Sequence, residues 1–301
     1  MGCYLFVHFI GEESADGEQI YLSVSRDGLH WHDLNRGQPV LRSGIGDRGV
    51  RDPFMVRHPE SGRFYLIATD LSIFHRGDWD SAQYRGSRDL MVWDSADLVH
   101  WSGPCSHTVG VENAGCVWAP EAVWDEEKQA FLVFFASMTS LPGDAQPKQR
   151  IFATHTRDFS SFTLTALYAQ AENHLIDTTI VRESGWYYRF TKDETTKKII
   201  MERLRKLEDR PEAVPCQALD NLPGVEGPEC YQLPDGRWCL IVDQFSTGKG
   251  YLPLVTDSLA KADFRILPQN AYHMGKMRKR HGGVIAISEE EAERLLQAFP
   301  A

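Results

Sequence analysis

The chain has 301 residues, 42% of them hydrophobic, enough to bury a large core as one all-β unit or as two smaller domains. A formal charge of −10 at pH 7 gives no electrostatic reason to bind nucleic acid or an anionic membrane, so a neutral partner is expected. No apolar run approaches the length of a membrane span, and the six scattered cysteines (Cys3, Cys105, Cys116, Cys216, Cys230, Cys239) have neither CxxC nor zinc spacing, which points to reduced, buried thiols.

From the N-terminus, residues 1–7 lack the basic segment of a signal peptide and read as a strand; the expected location is the cytoplasm, or outside the cell if a leader was removed. Residues 19–25 read as a second strand, followed by the tail Arg26-Asp27-Gly28-Leu29-His30-Trp31. Next comes Arg51-Asp52-Pro53-Phe54, an acid and a proline ahead of an apolar run, with strand patterns at 63–68, 89–93 and 98–101. The insertion 72–88 is rich in Asp, Arg and aromatics. A second unit opens at Trp118-Ala119-Pro120-Glu121, with strand patterns at 130–135, 150–154 and 159–162. A third opens at Leu175-Ile176-Asp177 and a fourth at Val225-Glu226-Gly227-Pro228. The chain closes with Arg280-His281-Gly282-Gly283, an apolar run to residue 287, and the segment 288–299, where Ser288 and Glu291 have the spacing of a helix capping box.

Asp52, Glu121, Asp177 and Glu226 lie 69, 56 and 49 residues apart, which suits four-stranded antiparallel blades with loop insertions on one face. The N-terminal segments form a unit without its first strand, and 281–287 is a first strand without its unit. Joined, they make a fifth blade, and the closed ring leaves no long exposed edge. The predicted fold is therefore all-β: one five-bladed β-propeller domain over residues 1–301, closed by N- and C-terminal strands, with a short C-terminal helix. A two-domain β-sandwich would leave the end segments without partners.

The first strand of each propeller blade lines the central channel, so Asp52, Glu121, Asp177, Glu226 and His281 are expected to meet at one mouth. Ionisable groups in a partly dehydrated funnel shift one another's pKa values, a cost that function or a cation must offset; alternatively they bind backbone amides or arginines such as Arg51 and Arg280. The chain has no G-x-S-x-G and no phosphate loop. Opposed carboxylates suit glycoside hydrolysis, in which one acid protonates the leaving oxygen and another carboxylate activates water or attacks. Trp118, Trp79 and Phe74 are the candidates to stack on a sugar face, with Glu121 and Arg51 as further substrate contacts.

The order Asp52-Pro53, Trp118-Ala119-Pro120-Glu121, Ile176-Asp177, Glu226-Gly227-Pro228 and Arg280-His281-Gly282 resembles glycoside hydrolase family 43 over nearly the whole chain. The resemblance implies a five-bladed propeller that cleaves O-glycosides with inversion, with Asp52 as general base, Asp177 tuning and orienting, and Glu226 as general acid. It implies no cofactor for the chemistry itself and a calcium or other small cation near His281 on the axis. Glu226 as acid needs a raised pKa, which repulsion from Asp177 would supply, and inversion calls for roughly 6.5–9.5 Å between the Asp52 and Glu226 carboxyls. Family members usually have Asp where this chain has Glu121. The implied partner is an oligosaccharide of plant type, α-L-arabinofuranosides first, with β-xylosides, arabinan and β-galactans as alternatives. The insertion 72–88, by walling off one end of the cleft, favours release of terminal sugars. A catalytically silent carbohydrate-binding propeller is the reading from another class.

Overall fold

Strands rich in Val, Ile, Phe and Tyr assemble into five four-stranded antiparallel sheets over residues 2–301, which the computed structural model describes. The first blade runs Val50–Arg57, Phe64–Asp70, Asp89–Ser95, Trp101–Thr108, and the second Trp118–Asp125, Ala130–Thr139, Lys148–Thr156, Ala166–Ala169. The third runs Leu175–Glu183, Trp186–Asp193, Lys198–Leu204, Glu212–Ala213, and the fourth Glu226–Gln232, Trp238–Asp243, Tyr251–Thr256, Arg265–Ile266. The fifth is composite: Gly282–Ile287 pairs with Cys3–His8, which pairs with Tyr21–Ser25 and then Trp31–Asp33. The five innermost strands contact one another in cyclic order, the last, Gly282–Ile287, reaching the first, Val50–Arg57. The fold is the expected five-bladed propeller, closed by strands from both ends of the chain.

The segments 98–101 and 159–162 differ from expectation. In the first, second and closing blades, a hydroxyl ending the third strand accepts the N–H three residues on: Ser95 from Leu98 (2.9 Å), Thr156 from Phe159 (2.8 Å) and Ser25 from Gly28 (2.9 Å). Each donating residue, Leu98, Phe159 and Gly28, has positive φ (69°, 58° and 76°), so the chain turns there instead of extending. The fourth strands of the first two blades accordingly begin later, at Trp101 and Ala166.

The helix Glu289–Ala298 carries the expected capping box, Ser288 accepting from the Glu291 N–H while the Glu291 carboxylate accepts from the Ser288 N–H. Its buried Ala292 and Leu295 pack in one cluster with Leu5, Val24 and Leu66, which fastens the closing blade to the first. Five of the six free cysteines are buried; Cys105 is exposed because it sits on the outer strand Trp101–Thr108. No helix of the described residues is long and apolar enough to cross a membrane.

Leu5 stands fully buried between its ladder partners Val24 and Ile285, at the seam of the two chain ends. Leu5→Ala is expected to lower unfolding free energy by about 2–5 kcal/mol, read from urea denaturation.

Candidate active site at the propeller hub

Each of the first four inner strands carries one extra residue near its start. The ladder register slips between Arg51 and Phe54, Trp118 and Glu121, Ile176 and Thr178, and Glu226 and Glu229. Within each slip one residue adopts a left-handed backbone: Asp52 (φ 50°), Ala119 (47°), Asp177 (48°) and Gly227 (51°). Three of these bulges place proline next, Pro53, Pro120 and Pro228, where no ladder donor is lost. A non-glycine residue in such a conformation costs on the order of 1–3 kcal/mol, and the bulge re-aims its side chain in return. Gly227 is required by space as well, because a Cβ there would stand 2.8 Å from the His281 ring.

Aligned on the bulges, Asp52 and Asp177 occupy equivalent positions, and Glu226 precedes its bulge by one residue. His281 Nδ1 lies 3.5 Å from Asp52 Oδ1 and 3.8 Å from Asp177 Oδ1. The Gly227 N–H donates to Asp177 Oδ2 at 3.0 Å, which ties Asp177 to the residue next to Glu226. Asp52 Oδ2 accepts from Thr69 Oγ1 (2.9 Å), which in turn accepts from the Ala119 N–H (2.8 Å). The structure thus brings Asp52, Asp177, Glu226 and His281 to one mouth. Asp52 and Glu226 keep part of their side chains accessible, whereas Asp177 is buried.

Glu121 does not share that mouth, and its expected role as a sugar contact is not supported by its position. It stands two residues past its bulge, only 3% exposed, level with Thr179 and Glu229 in a deeper layer of the channel. There Glu121 Oε1 lies 4.0 Å from His281 Nε2, and its Oε2 has no hydrogen-bond partner among the described residues. Burial, opposed by the His281 contact, pushes its pKa up to about 7. Glu229, accepting from the Val284 N–H at 2.9 Å, is raised further by burial and by Glu121.

The mouth carboxyls divide differently from expectation. Burial raises Asp177, with Glu226 and Asp52 adding to it and His281 and Lys192 opposing, to about 6. For Asp52, burial is outweighed by the His281 hydrogen bond and charge, by Arg51 and by Thr69, so it lies below the ordinary aspartate value. For Glu226, burial is outweighed by Lys192 and Arg280, whose nitrogens stand 2.8 Å from Oε2 and Oε1, and its pKa falls below the usual value. The repulsion expected to raise Glu226 is present, but two cations in contact exceed it.

The sequence reading missed Lys192. It faces Ile176 across the third blade, on a strand otherwise reading as buried, and its only signal is a cation that shares that run with Arg189. Glu18 was missed as well. Fully buried, it accepts from Arg51 Nη1 (2.8 Å), Ser72 Oγ (2.7 Å) and the N–H groups of Ile73 (2.7 Å) and Phe74 (3.0 Å), so it fixes the base of the insertion. Arg51 is spent on Glu18 and on Glu12 at 3.3 Å, between the rings of Phe9 and Trp79; it braces the wall and does not present a free guanidinium to a sugar.

The insertion folds as two short helices, Ile73–Arg76 and Trp79–Tyr84. Trp79 packs edge-on against Trp118 at 6.1 Å while remaining 46% exposed, so the two indoles form one aromatic wall beside the mouth. Phe74 is equally exposed, its ring against His75 at 5.2 Å.

Burial disfavours the imidazolium of His281, but Asp177, Asp52 and Glu121 outweigh it and hold the ring's pKa well above its ordinary value. Among the described residues no group of three or more His, Cys, Asp or Glu side chains is arranged to hold a metal ion.

Residues 1–293 match a family model described as "Probable glycosyl hydrolase domain", of the family 43-related type. The chain belongs to this glycoside hydrolase 43-related family. An α-L-arabinofuranosidase of Bifidobacterium longum subsp. longum is 34% identical over 224 residues, 65% of this chain, which spans only 21% of that longer protein. Two solved structures share the fold: the catalytic domain of a family 62 α-L-arabinofuranosidase from Coprinopsis cinerea (13% identity, TM-score 0.55, covering 81% of this chain and 76% of that one) and a family 43 β-1,3-galactosidase (12% identity, TM-score 0.60, covering 92% and 91%).

Glu121 gives the hub a measurable pH signature. Its folded value of about 7 lies above an unfolded value near 4.5, so the stability it contributes is present below pH 4.5 and is lost as pH rises through 7. Glu121→Gln is expected to flatten this loss: thermal melts at pH 5 and pH 8 should differ less in the variant than in the wild type.

Proposed function

We propose that the chain is an inverting glycoside hydrolase that releases terminal α-L-arabinofuranose from plant-type oligosaccharides. The observation that carries this reading is the convergence of Asp52 and Asp177 on one His281 nitrogen, with Asp177 also bonded to the N–H beside Glu226. In this reading Asp52, held ionised, takes the proton from a water that attacks the anomeric carbon, while Glu226 protonates the departing oxygen on the opposite face. Asp177 orients Glu226 through Gly227. Trp118 and Trp79 stack on the sugar, and the insertion anchored by Glu18 walls one end of the cleft, which favours attack on a terminal residue.

The choice of arabinofuranose is supported by the 34% identity to the bifidobacterial arabinofuranosidase. The reading requires Glu226 to be protonated when the substrate is cleaved, although Lys192 and Arg280 favour its carboxylate in the free protein.

A panel of nitrophenyl α-L-arabinofuranoside, β-D-xyloside and β-D-galactoside should show turnover of the first above the others. Asp52→Asn and Glu226→Gln are each expected to reduce kcat by about 100- to 10,000-fold. Proton NMR of the first-formed product should show the anomer opposite to the substrate's. A wild-type protein that binds these sugars but cleaves none would identify a silent lectin instead.

A further inference from the structure

Both oxygens of Glu226 are taken by cations, Oε1 by Arg280 Nη2 and Oε2 by Lys192 Nζ, each at 2.8 Å. A carboxyl ready to donate carries its proton on one of these oxygens. An O–H there faces a group that has only donors to offer, so one cation must withdraw first. Arg280 is held in place: Nε donates to Asp243 Oδ2 at 2.7 Å, its backbone N–H donates to the Phe9 carbonyl at 2.9 Å, and Nη1 lies 3.8 Å from Glu12. Lys192 has somewhere to go. Its Nζ stands 2.6 Å from Glu194 Oε2 and 4.3 Å from the centre of the Phe245 ring, a second anion and an aromatic face reachable by a flexible four-carbon stem.

Resting on the assignment of Glu226 as the acid, we propose that Lys192 is a positioning residue that sets when Glu226 takes up its proton, by shifting its ammonium from Glu226 to Glu194. The remaining charges facing this pair are Asp177 on the inner strand of the third blade, Asp243 and Arg280 beside Glu226, and Lys197, which pairs with Glu194 Oε1 across the turn. With Lys192 drawn to Glu194, Glu226 Oε2 accepts a proton from water and passes it to the glycosidic oxygen as the C–O bond breaks. The attacking water loses its proton to Asp52, which returns it to solvent. Glu226 is again a carboxylate, and Lys192 closes on it.

The test compares kcat/KM against pH for the wild type, Lys192→Met and Glu194→Gln, with nitrophenyl α-L-arabinofuranoside as substrate. A parallel 13C NMR titration follows the Glu226 carboxyl, identified by its absence in Glu226→Gln. Lys192→Met removes a cation in contact with the acid and should move the basic limb up by about one pH unit. Glu194→Gln leaves Glu226 as the one carboxylate paired directly with Lys192, with Asp177 behind it, and should move that limb down. A merely structural ion pair would lower melting temperature and kcat without moving either limb, and that result would overturn the proposal. If Lys192→Met fails to fold, the downward shift in Glu194→Gln still decides. The titration separates the two layers of inference: a Glu226 carboxyl that shifts in both variants of a protein with no hydrolytic activity sustains the hold by Lys192 and removes the hydrolase reading. An active enzyme whose carboxyl and limbs do not move does the reverse.

Discussion

One imidazolium buried among carboxylates is the constraint on which the hub depends. Asp52, Asp177 and Glu121 approach His281 from three different blades, and no two of them would tolerate one another at that depth without a cation between them. His281 directly precedes the inner strand of the closing blade, which exists only when Gly282–Ile287 has paired with Cys3–His8. Ring closure and charge neutralisation are therefore one event: the segment that removes the open sheet edges also delivers the proton-bearing ring.

Negative charge still exceeds positive at the hub, and the excess is settled by position. At the mouth, Arg280 and Lys192 reach Glu226 directly and keep it ionised, while Thr69 and His281 do so for Asp52. Deeper in the channel burial outweighs the pull of His281, so the pKa values of Glu121 and Glu229 are raised. The same economy governs the wall. Glu18, buried without solvent, is matched by Arg51, a hydroxyl and two backbone N–H groups, and that closed set holds the Trp79 insertion against Trp118.

Much of this was legible in the chain. The repeat of acid-led strands and the orphan segments at both ends were enough to assemble the propeller, and the capping box at Ser288 announced the last helix. The tails at Leu98 and Phe159 misread as strands because their apolar residues are buried at turn positions, where a neighbouring hydroxyl sets the backbone. Glu121 misread as a mouth residue because the motif Trp-Ala-Pro-Glu looks like its counterparts, yet its bulge falls on Ala119, which carries the acid one layer inward. Lys192 and Glu18 gave almost no signal, since a cation in a strand that also carries Arg189, or one more acid in a loop with Glu12, Glu13 and Asp16, is ordinarily a solvated residue.

What the sequence determined by itself is local in origin: alternation, turn residues and spacing need only near neighbours, and they specify the ring and the residues that head its inner strands. Depth, protonation and partner choice were decided by the tertiary structure alone. They arise from burial and from charges contributed by other blades, such as Lys192 across the third blade and Arg280 ahead of the fifth meeting at Glu226 of the fourth. Coulomb forces act through space, and only the closed ring sets those separations.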